Sequence, residues 1–434
     1  MTVTANQNDI EVKSIILKSD SGKSVDIYDQ MVYTSLFEDI FSNGMSGYIK
    51  LRDAYNLPET FPIIGEETIT FDFTSYSRKK TKDTVFTKTF KIHNIEAYEL
   101  EGSHEYVTYL LHFVSVPFFV NQTKRLNRSF GSETKPMRAT NIVKNVCEKM
   151  LGIPLAQLTT DQTRWERNLV CTNWTPFQLF NHLAETDILD VNEAATDKES
   201  TFLFFEDRDG FKFVSWATLI EDRLVTSKEI KQLFFGKSVN NNESVKRSTG
   251  VQQVLRWAIV KMNPLLDNTT KGMFSNRYYY HDIINKTLES VNFDYQQEFP
   301  NMSHLETASN SYPLMNQRTI EKKEASFFLP KEYHYANDSK TVRPWRQISR
   351  ARQAMFENYS IEAEVTGNTG HRLGNVVDAK ELPTPKKKGN GDGGKFEQLS
   401  GKYLVTKIRH MISSEGYRQV LELRKGVQKK LVGV

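Results

Sequence analysis

Several short stretches hold residues whose types could do chemistry. Ser21-Gly22-Lys23-Ser24 ends as a phosphate-cradling loop ends, with a lysine and a hydroxyl after a glycine. Leu17 stands where the leading glycine would be, so the segment reads as a turn between strands. Asp207, Asp209 and Gly210 resemble the start of a calcium loop. No glutamate closes the spacing, however, and flanking phenylalanines make it a hairpin turn. His182 and Glu185 lie one helical turn apart, which suits a di-metal site only with a second helix of the same kind, and none is visible. His93, His104 and His112 fall in or beside strands without ligand spacing. Cys147 and Cys171 lack metal or redox spacing and read as buried thiols of a protein assembled in the cytoplasm. There is no Gly-x-Ser-x-Gly elbow and no Cys–His constellation. A glycosidase pair cannot be singled out in a chain so rich in carboxylates. Lys386 to Lys388 read as a solvated basic loop, the alternative being a site for phosphate or an acidic partner. The expectation is therefore no catalytic, cofactor-binding or metal residue, and a structural role.

The elements around these residues are mostly strands. From 9 to 114 apolar and polar residues alternate, as in Ile49 and Leu51 or Ile69, Phe71 and Phe73, with Gly22, Gly44, Gly47, Gly65 and Gly102 as punctuation. That spacing suggests a small antiparallel barrel or sandwich. The period then changes. Met137 to Leu151 puts Ile142, Val146 and Met150 on one helical face, and Gly152-Ile153-Pro154 stops it. Thr175 is a good N-cap, with Pro176 at the first helical position. Phe202 to Trp216 is a hairpin closed at Asp209-Gly210.

Gln253 to Lys261 reads as one long strand, residues 264–340 resist assignment, and Arg346 to Ala363 begins as an amphipathic helix. Leu382 to Lys395 is a loop rich in Pro, Lys and Gly, and within it Lys386 to Gly394 is expected to be mobile or to become ordered only on a partner. The last hairpin, 399–426, has apolar residues on both faces, so one face is expected to lie against a neighbouring chain. Phe90 to Ile95 looks like a copy of Tyr403 to Ile408, and Tyr106 to Phe113 answers Tyr417 onwards. This internal repeat matches Ile92 with Val405 and Tyr109 with Val420.

Composition sets bounds. The chain has 434 residues, 38% hydrophobic, 12% aromatic and 25% charged, with a net charge of +4. Two to four domains are expected at this length, and the charge argues neither for nor against nucleic acid. No export signal is visible, and no apolar run approaches the roughly 20 residues that span a bilayer, which predicts a soluble protein.

Three stretches taken together resemble the central baseplate hub protein of contractile-tailed phages and the related hub part of type VI secretion spike proteins. They are Phe37-Glu38-Asp39-Ile40-Phe41 through Gly47 and Asp53 to Glu67, then Asn173-Trp174-Thr175-Pro176-Phe177, then the hairpin from Gly401. The resemblance implies an α+β, mainly β chain with two tail-tube-like antiparallel β-barrels and an inserted α/β domain. The first barrel would span 1–119 and the insert 120–228 and 264–340. The second barrel would take 229–263 and 341–426, leaving 427–434 as a tail.

The resemblance also implies a non-enzymatic homotrimer that joins a hexameric tail tube to a trimeric spike and lines the channel for genome passage. A trimer with an internal duplication meets both symmetries. Implied partners are the tail spike protein, tube or tube-initiator proteins, the tape-measure protein and the baseplate wedge proteins, with DNA only in transit. The setting would be the virion tail baseplate, assembled in the host cytoplasm. Needle and wall-degrading enzyme are expected as separate proteins, because little follows Gly426. Candidate contacts are Phe37, Glu38, Ile40, Phe41, Tyr403, Val405, Tyr417, Lys386, Lys387 and Lys388. The competing readings are a baseplate peptidoglycan hydrolase and a tube or receptor-binding protein of a related injection machine. The length opposes a plain tube subunit, and no repetitive fibre segment is seen.

Overall fold

Apolar residues at every second position give a strand one face to bury, and in this chain that face curls inward. The computed structural model describes residues 10–75, 85–102, 105–132, 134–186, 201–221, 232–235, 251–262, 264–282, 286–298, 305, 325–330, 343–380, 382–383, 396 and 399–426. The first strands are β1 (Ile10–Lys18), β2 (Ser24–Asp26), β3 (Met31–Asp39), β4 (Ser46–Asp53), β5 (Thr68–Ser75), β6 (Val85–Glu101) and β7 (Tyr106–Ser115), with α1 (Leu57–Thr60) between β4 and β5. Across the sheet they run β2-β1-β5-β6-β7-β4-β3, every pair antiparallel. Ile15 and Leu17, Ile49 and Leu51, Ile69, Phe71 and Phe73, and Leu111 and Phe113 fill one core. β1 and β3 are not paired, so this barrel keeps a seam there; the β1–β2 ladder runs one rung past β2, where the Ile27 N–H donates to the Ile15 carbonyl at 2.9 Å.

The α/β unit follows: α2 (Val116–Thr123), β8 (Leu126–Phe130), β9 (Met137–Arg138), α3 (Ala139–Met150), β10 (Leu158–Thr160), β11 (Glu166–Arg167), β12 (Leu169–Trp174), α4 (Pro176–Thr186), β13 (Phe202–Asp207), β14 (Gly210–Ser215) and α5 (Trp216–Ile220). The helix expected from Met137 starts two residues later, because Met137 and Arg138 pair with β11. The start of α4 is a reciprocal cap: Gln178 N–H donates to Thr175 Oγ1 at 3.2 Å, and Thr175 N–H to Gln178 Oε1 at 2.9 Å. Ile142, Val146, Phe180, Leu183, Phe204 and Phe213 close a separate core.

The second barrel is built from β15 (Gln232–Phe234), β16 (Val251–Met262), β20 (Tyr359–Thr366), β21 (Val376–Lys380), β22 (Gly401–Ser413) and β23 (Gly416–Lys425). Between β16 and β20 come α6 (Leu265–Thr270), β17 (Ser275–Asp282), β18 (Thr287–Asp294), α7 (Tyr295–Glu298), β19 (Ala325–Pro330) and α8 (Arg343–Met355). The ring β22-β21-β15-β16-β20-β23 returns to β22 and is closed. Its three-residue β15 is parallel to both neighbours, a departure from wholly antiparallel barrels. In the region that resisted assignment, Met273, Phe274, Phe293 and Tyr295 pack with Ile348, Ala351 and Met355 of α8 in the same core as this barrel.

The two barrels take their strands in the same chain order, so β3, β4, β6 and β7 correspond to β16, β20, β22 and β23. Their irregularities correspond as well. A bulge at His93 lies between Ile92 and Asn94, and one at Thr406 lies between Val405 and Lys407. A bulge at Val32 in β3 matches one at Leu255 in β16. Ile92 and Val405 both face a core, as the repeat requires. The expected match of Tyr109 with Val420 is wrong by one residue. Ile92 pairs with Phe113 and Val405 with Leu423, which places Tyr109 on Gln419. Val420 faces outward, because the return strands begin after turns of different length.

Gly367 stands where a Cβ would enter the ring of Tyr417, and its N–H donates to the Tyr417 carbonyl at 2.8 Å. Gly367→Ala is expected to lower stability by about 1–3 kcal/mol through overpacking, read as a shift of the urea midpoint with unchanged slope.

Candidate functional site

The C-terminal hairpin belongs to both barrels. Residues 401–404 of β22 pair with β21, whereas 407–413 pair with β3, from Lys407 opposite Asp39 to Ser413 opposite Tyr33. Consequently Ile412 and Tyr417 complete the core of the first barrel, while Tyr403, Val405 and Leu423 fill the second.

A buried chain of polar groups lies on this seam. Strand alternation that points Ile408 and Ile412 inward also points His410 inward, and Gln419 falls inward between Tyr417 and Leu421. His371 Nδ1 donates to Gln419 Oε1 (2.7 Å), Gln419 Nε2 to the Tyr417 hydroxyl (2.9 Å), that hydroxyl to His410 Nδ1 (2.7 Å), and His410 Nε2 to Glu38 Oε1 (2.6 Å). This direction is the one that satisfies every donor along the line. The Arg208 N–H donates to the other Glu38 oxygen at 3.1 Å. Burial pushes the Glu38 carboxyl up, but the His410 hydrogen bond and the charges of Arg208 and Arg372 outweigh it and hold the group below the usual carboxylate range. Burial drives His371 down to about 4, against its hydrogen bond to Gln419.

The β13–β14 turn plugs into the same seam. Asp207 accepts from the N–H groups of Asp209 (2.9 Å) and Gly210 (3.1 Å) and from Lys212, which fixes the turn. Lys88 of β6 pairs with Glu206 at 2.8 Å, and Glu206 also accepts from the Met45 N–H at 3.0 Å. Arg208 Nη2 donates to the Val85 carbonyl at 3.1 Å, and Arg372 grips Asp209 at 2.5 Å. First barrel, second barrel and α/β unit therefore meet at one polar junction. A glutamate, histidine and tyrosine in series are the parts of a proton relay, yet each is at most 1% exposed, so no substrate touches them. What the arrangement does is hold three bodies in one geometry.

Of the residues picked out in the sequence, Glu38 and Tyr417 meet here through His410. Ile40, Tyr403 and Val405 lie inside the chain's own core. Phe37 is half-buried on the outer face against Tyr48 and Arg409, and Phe41 is 44% exposed beside Arg424. Lys386, Lys387, Lys388 and His104 lie outside the described residues. Ser21 to Lys23 form the β1–β2 turn, with the Ser19 N–H donating to the Lys23 carbonyl at 2.9 Å. His182 rests on Trp174, and His112 pairs with Glu96 at 3.0 Å. Burial pushes both thiols up, Cys171 to about 11. Among the described residues no group of three or more His, Cys, Asp or Glu could hold a metal, and no helix is long and apolar enough to cross a membrane. His410, Gln419, His371, Arg208 and Arg372 were not singled out in the sequence. The available signal was a polar residue at an inward position, as at His410 and Gln419.

The class of fold these barrels and their α/β unit define is that of phage tail proteins. The chain matches a tail protein from Neisseria meningitidis MC58 with TM-score 0.54 at 10% identity, covering 95% of this chain and 96% of that one. It matches the 43 kDa tail protein of prophage MuSo2 from Shewanella oneidensis with TM-score 0.53 at 11% identity, covering 95% and 97%. In sequence it is 22% identical over 407 residues to the "Probable baseplate hub protein gp334" of Vibrio phage KVP40, across 92% of this chain and 90% of that protein. No protein-family profile matches. The resemblance to a baseplate hub protein is borne out, and a structural part in a phage tail is supported.

Two outcomes test the junction. Glu38→Ala leaves the His410 Nε2–H and the Arg208 N–H buried without their acceptor and should cost about 1–3 kcal/mol in denaturant unfolding. His371 takes up no proton in the folded state until about pH 4, whereas the unfolded chain binds one below about 6.5. Its contribution to stability is full above pH 6.5 and is lost as pH falls towards 4, roughly 3 kcal/mol in all. His371→Asn should flatten that slope in unfolding measured across pH 4–7.

Proposed function

We propose that the chain is the hub of a contractile tail baseplate. As a homotrimer it joins a hexameric tail tube to a trimeric spike and lines the channel for genome passage. The observation that carries the reading is the duplication, with matched bulges at His93 and Thr406 and at Val32 and Leu255. Three chains with two like barrels offer six similar surfaces to a six-fold tube while keeping three-fold symmetry for a spike. The whole-length likeness to a phage hub protein supports it further. A rigid junction fits the task, since a ring of six must not hinge between its halves.

On this reading the first barrel occupies 1–119, the insert 120–228 and 264–340, and the second barrel 229–263 and 341–426. The partners are the spike, the tube and its initiator, the tape-measure protein and the wedge proteins, in the virion tail. DNA meets the chain only in transit. Phe37 and Phe41 are the described candidates whose side chains reach the outer surface, and Lys386 to Lys388 stay candidates for an acidic partner.

Light scattering of the protein with its purified spike should give the mass of three chains, and particle images should show six densities around one axis. A monomer with the spike bound would sink the proposal.

A further inference from the structure

We propose that the free edge of β6 in one copy pairs antiparallel with the free edge of β16 in the next. The seam that β22 makes with β3 inside one chain would thus be repeated between chains. The inference rests on the trimeric hub reading and gives it an interface.

β22 is longer than its own barrel needs, and its second half serves β3. β6 is built the same way. Residues 85–91 pair with β5, while 94–101 have β7 on one edge and, among the described residues, nothing on the other. β16 corresponds to β3, the strand that receives β22. β15 covers only 251–253 of it, so 254–262 have β20 on one edge and, among the described residues, nothing opposite. The barrel pair thus holds one donor edge used and one unused, and one acceptor edge used and one unused. A second copy supplies the missing partner of each.

The register transfers residue by residue. Arg409 lies opposite Val420 as Glu96 lies opposite Leu110, so Glu96 stands for Arg409. Phe37 lies opposite Ser46 as Lys261 lies opposite Ser360, so Lys261 stands for Phe37. Arg409 faces Phe37 within the chain, which sets Glu96 against Lys261 between chains. By the same steps Met411 opposite Ser35 becomes Glu99 opposite Ala258. Between these two pairs β22 and β3 each have one residue. β6 has Ala97 and Tyr98, and β16 has Ile259 and Val260, because both strands are bulged there. Two extra residues face each other and cancel, so the ladder runs on without a slip.

The side chains suit the pairing. Glu96 meets the opposite charge of Lys261, and Glu99 lies diagonal to Arg256. Leu100 comes opposite Trp257 and Tyr98 opposite Ile259. Tyr98, Leu100 and Val260 are 52%, 53% and 53% exposed in the single chain, which is costly for apolar residues along two open strand edges. Glu96 now holds His112, and Lys261 lies 3.7 Å from Glu357, both of them surface pairs that can share.

The test uses disulfides, since the native Cys147 and Cys171 are buried. Mixing full-length Glu99→Cys protein with Ala258→Cys protein under mild oxidation should give a mixed dimer. The double variant should give a ladder ending at three chains. Glu99→Cys with Lys261→Cys, which is out of register, should not link. Lys261→Glu should abolish assembly and added Glu96→Lys should restore it. A protein that assembles as a trimer but forms no disulfide between positions 99 and 258 overturns this interface and leaves the hub reading standing. A protein that stays monomeric with its spike and forms no disulfide overturns both.

Discussion

The buried hydrogen bond from His410 to the Glu38 carboxylate is the contact on which the rest of the chain depends. It joins the strand that ends the first barrel to the strand that the second barrel lends it. A carboxylate taken out of water is tolerable only if its lone pairs are met, and here a histidine and a backbone N–H meet them. That requirement fixes more than one bond. His410 must present Nε2, so Nδ1 must accept from Tyr417, so Gln419 must be turned to donate, and His371 is drawn in behind it. The second arm of Glu38 commits the β13–β14 turn. One buried charge thereby sets the mutual placement of three cores that apolar packing alone would leave free to slide.

Much of this was legible in the sequence, because strand alternation, helix caps and glycine turns are local signals. The cap at Thr175, the hairpin at Asp207 to Gly210 and the repeat of 90–113 in 403–423 all come from spacing along the chain. The polar junction did not. Its members are drawn from β3, the β13–β14 turn, the loop after β20 and the last hairpin, and no local pattern links positions so far apart. His410 and Gln419 interrupt an apolar alternation, and nothing local to the hairpin says what meets them. Glu38 and Tyr417 were singled out as contacts, and the structure gives them partners within the chain. Tyr109 was matched wrongly because a bulge and a turn length are invisible until pairing is seen.

The two barrels also show what duplication leaves free. Their bulges are kept, yet the link from β3 to β4 is a short turn while the link from β16 to β20 carries α6 to α8. A connection at a barrel's end can grow without moving the register, since the cost of a longer loop rises only slowly with its length. The copy that carries the excursion packs it against its own strands through Met273, Phe274 and α8, so the added mass extends an existing core.

The shared hairpin has a consequence for how the chain is made. Glu38 and His410 are separated by 372 positions. At a synthesis rate of about 5–20 residues per second, β3 waits roughly 20–75 s for the strand that covers it. Until then the first barrel lacks Ile412 and Tyr417 and shows a bare edge, the kind of surface that chaperones hold and that pairs wrongly with neighbours. A chain cut short anywhere before β22 has a first barrel without Ile412 and Tyr417 in its core.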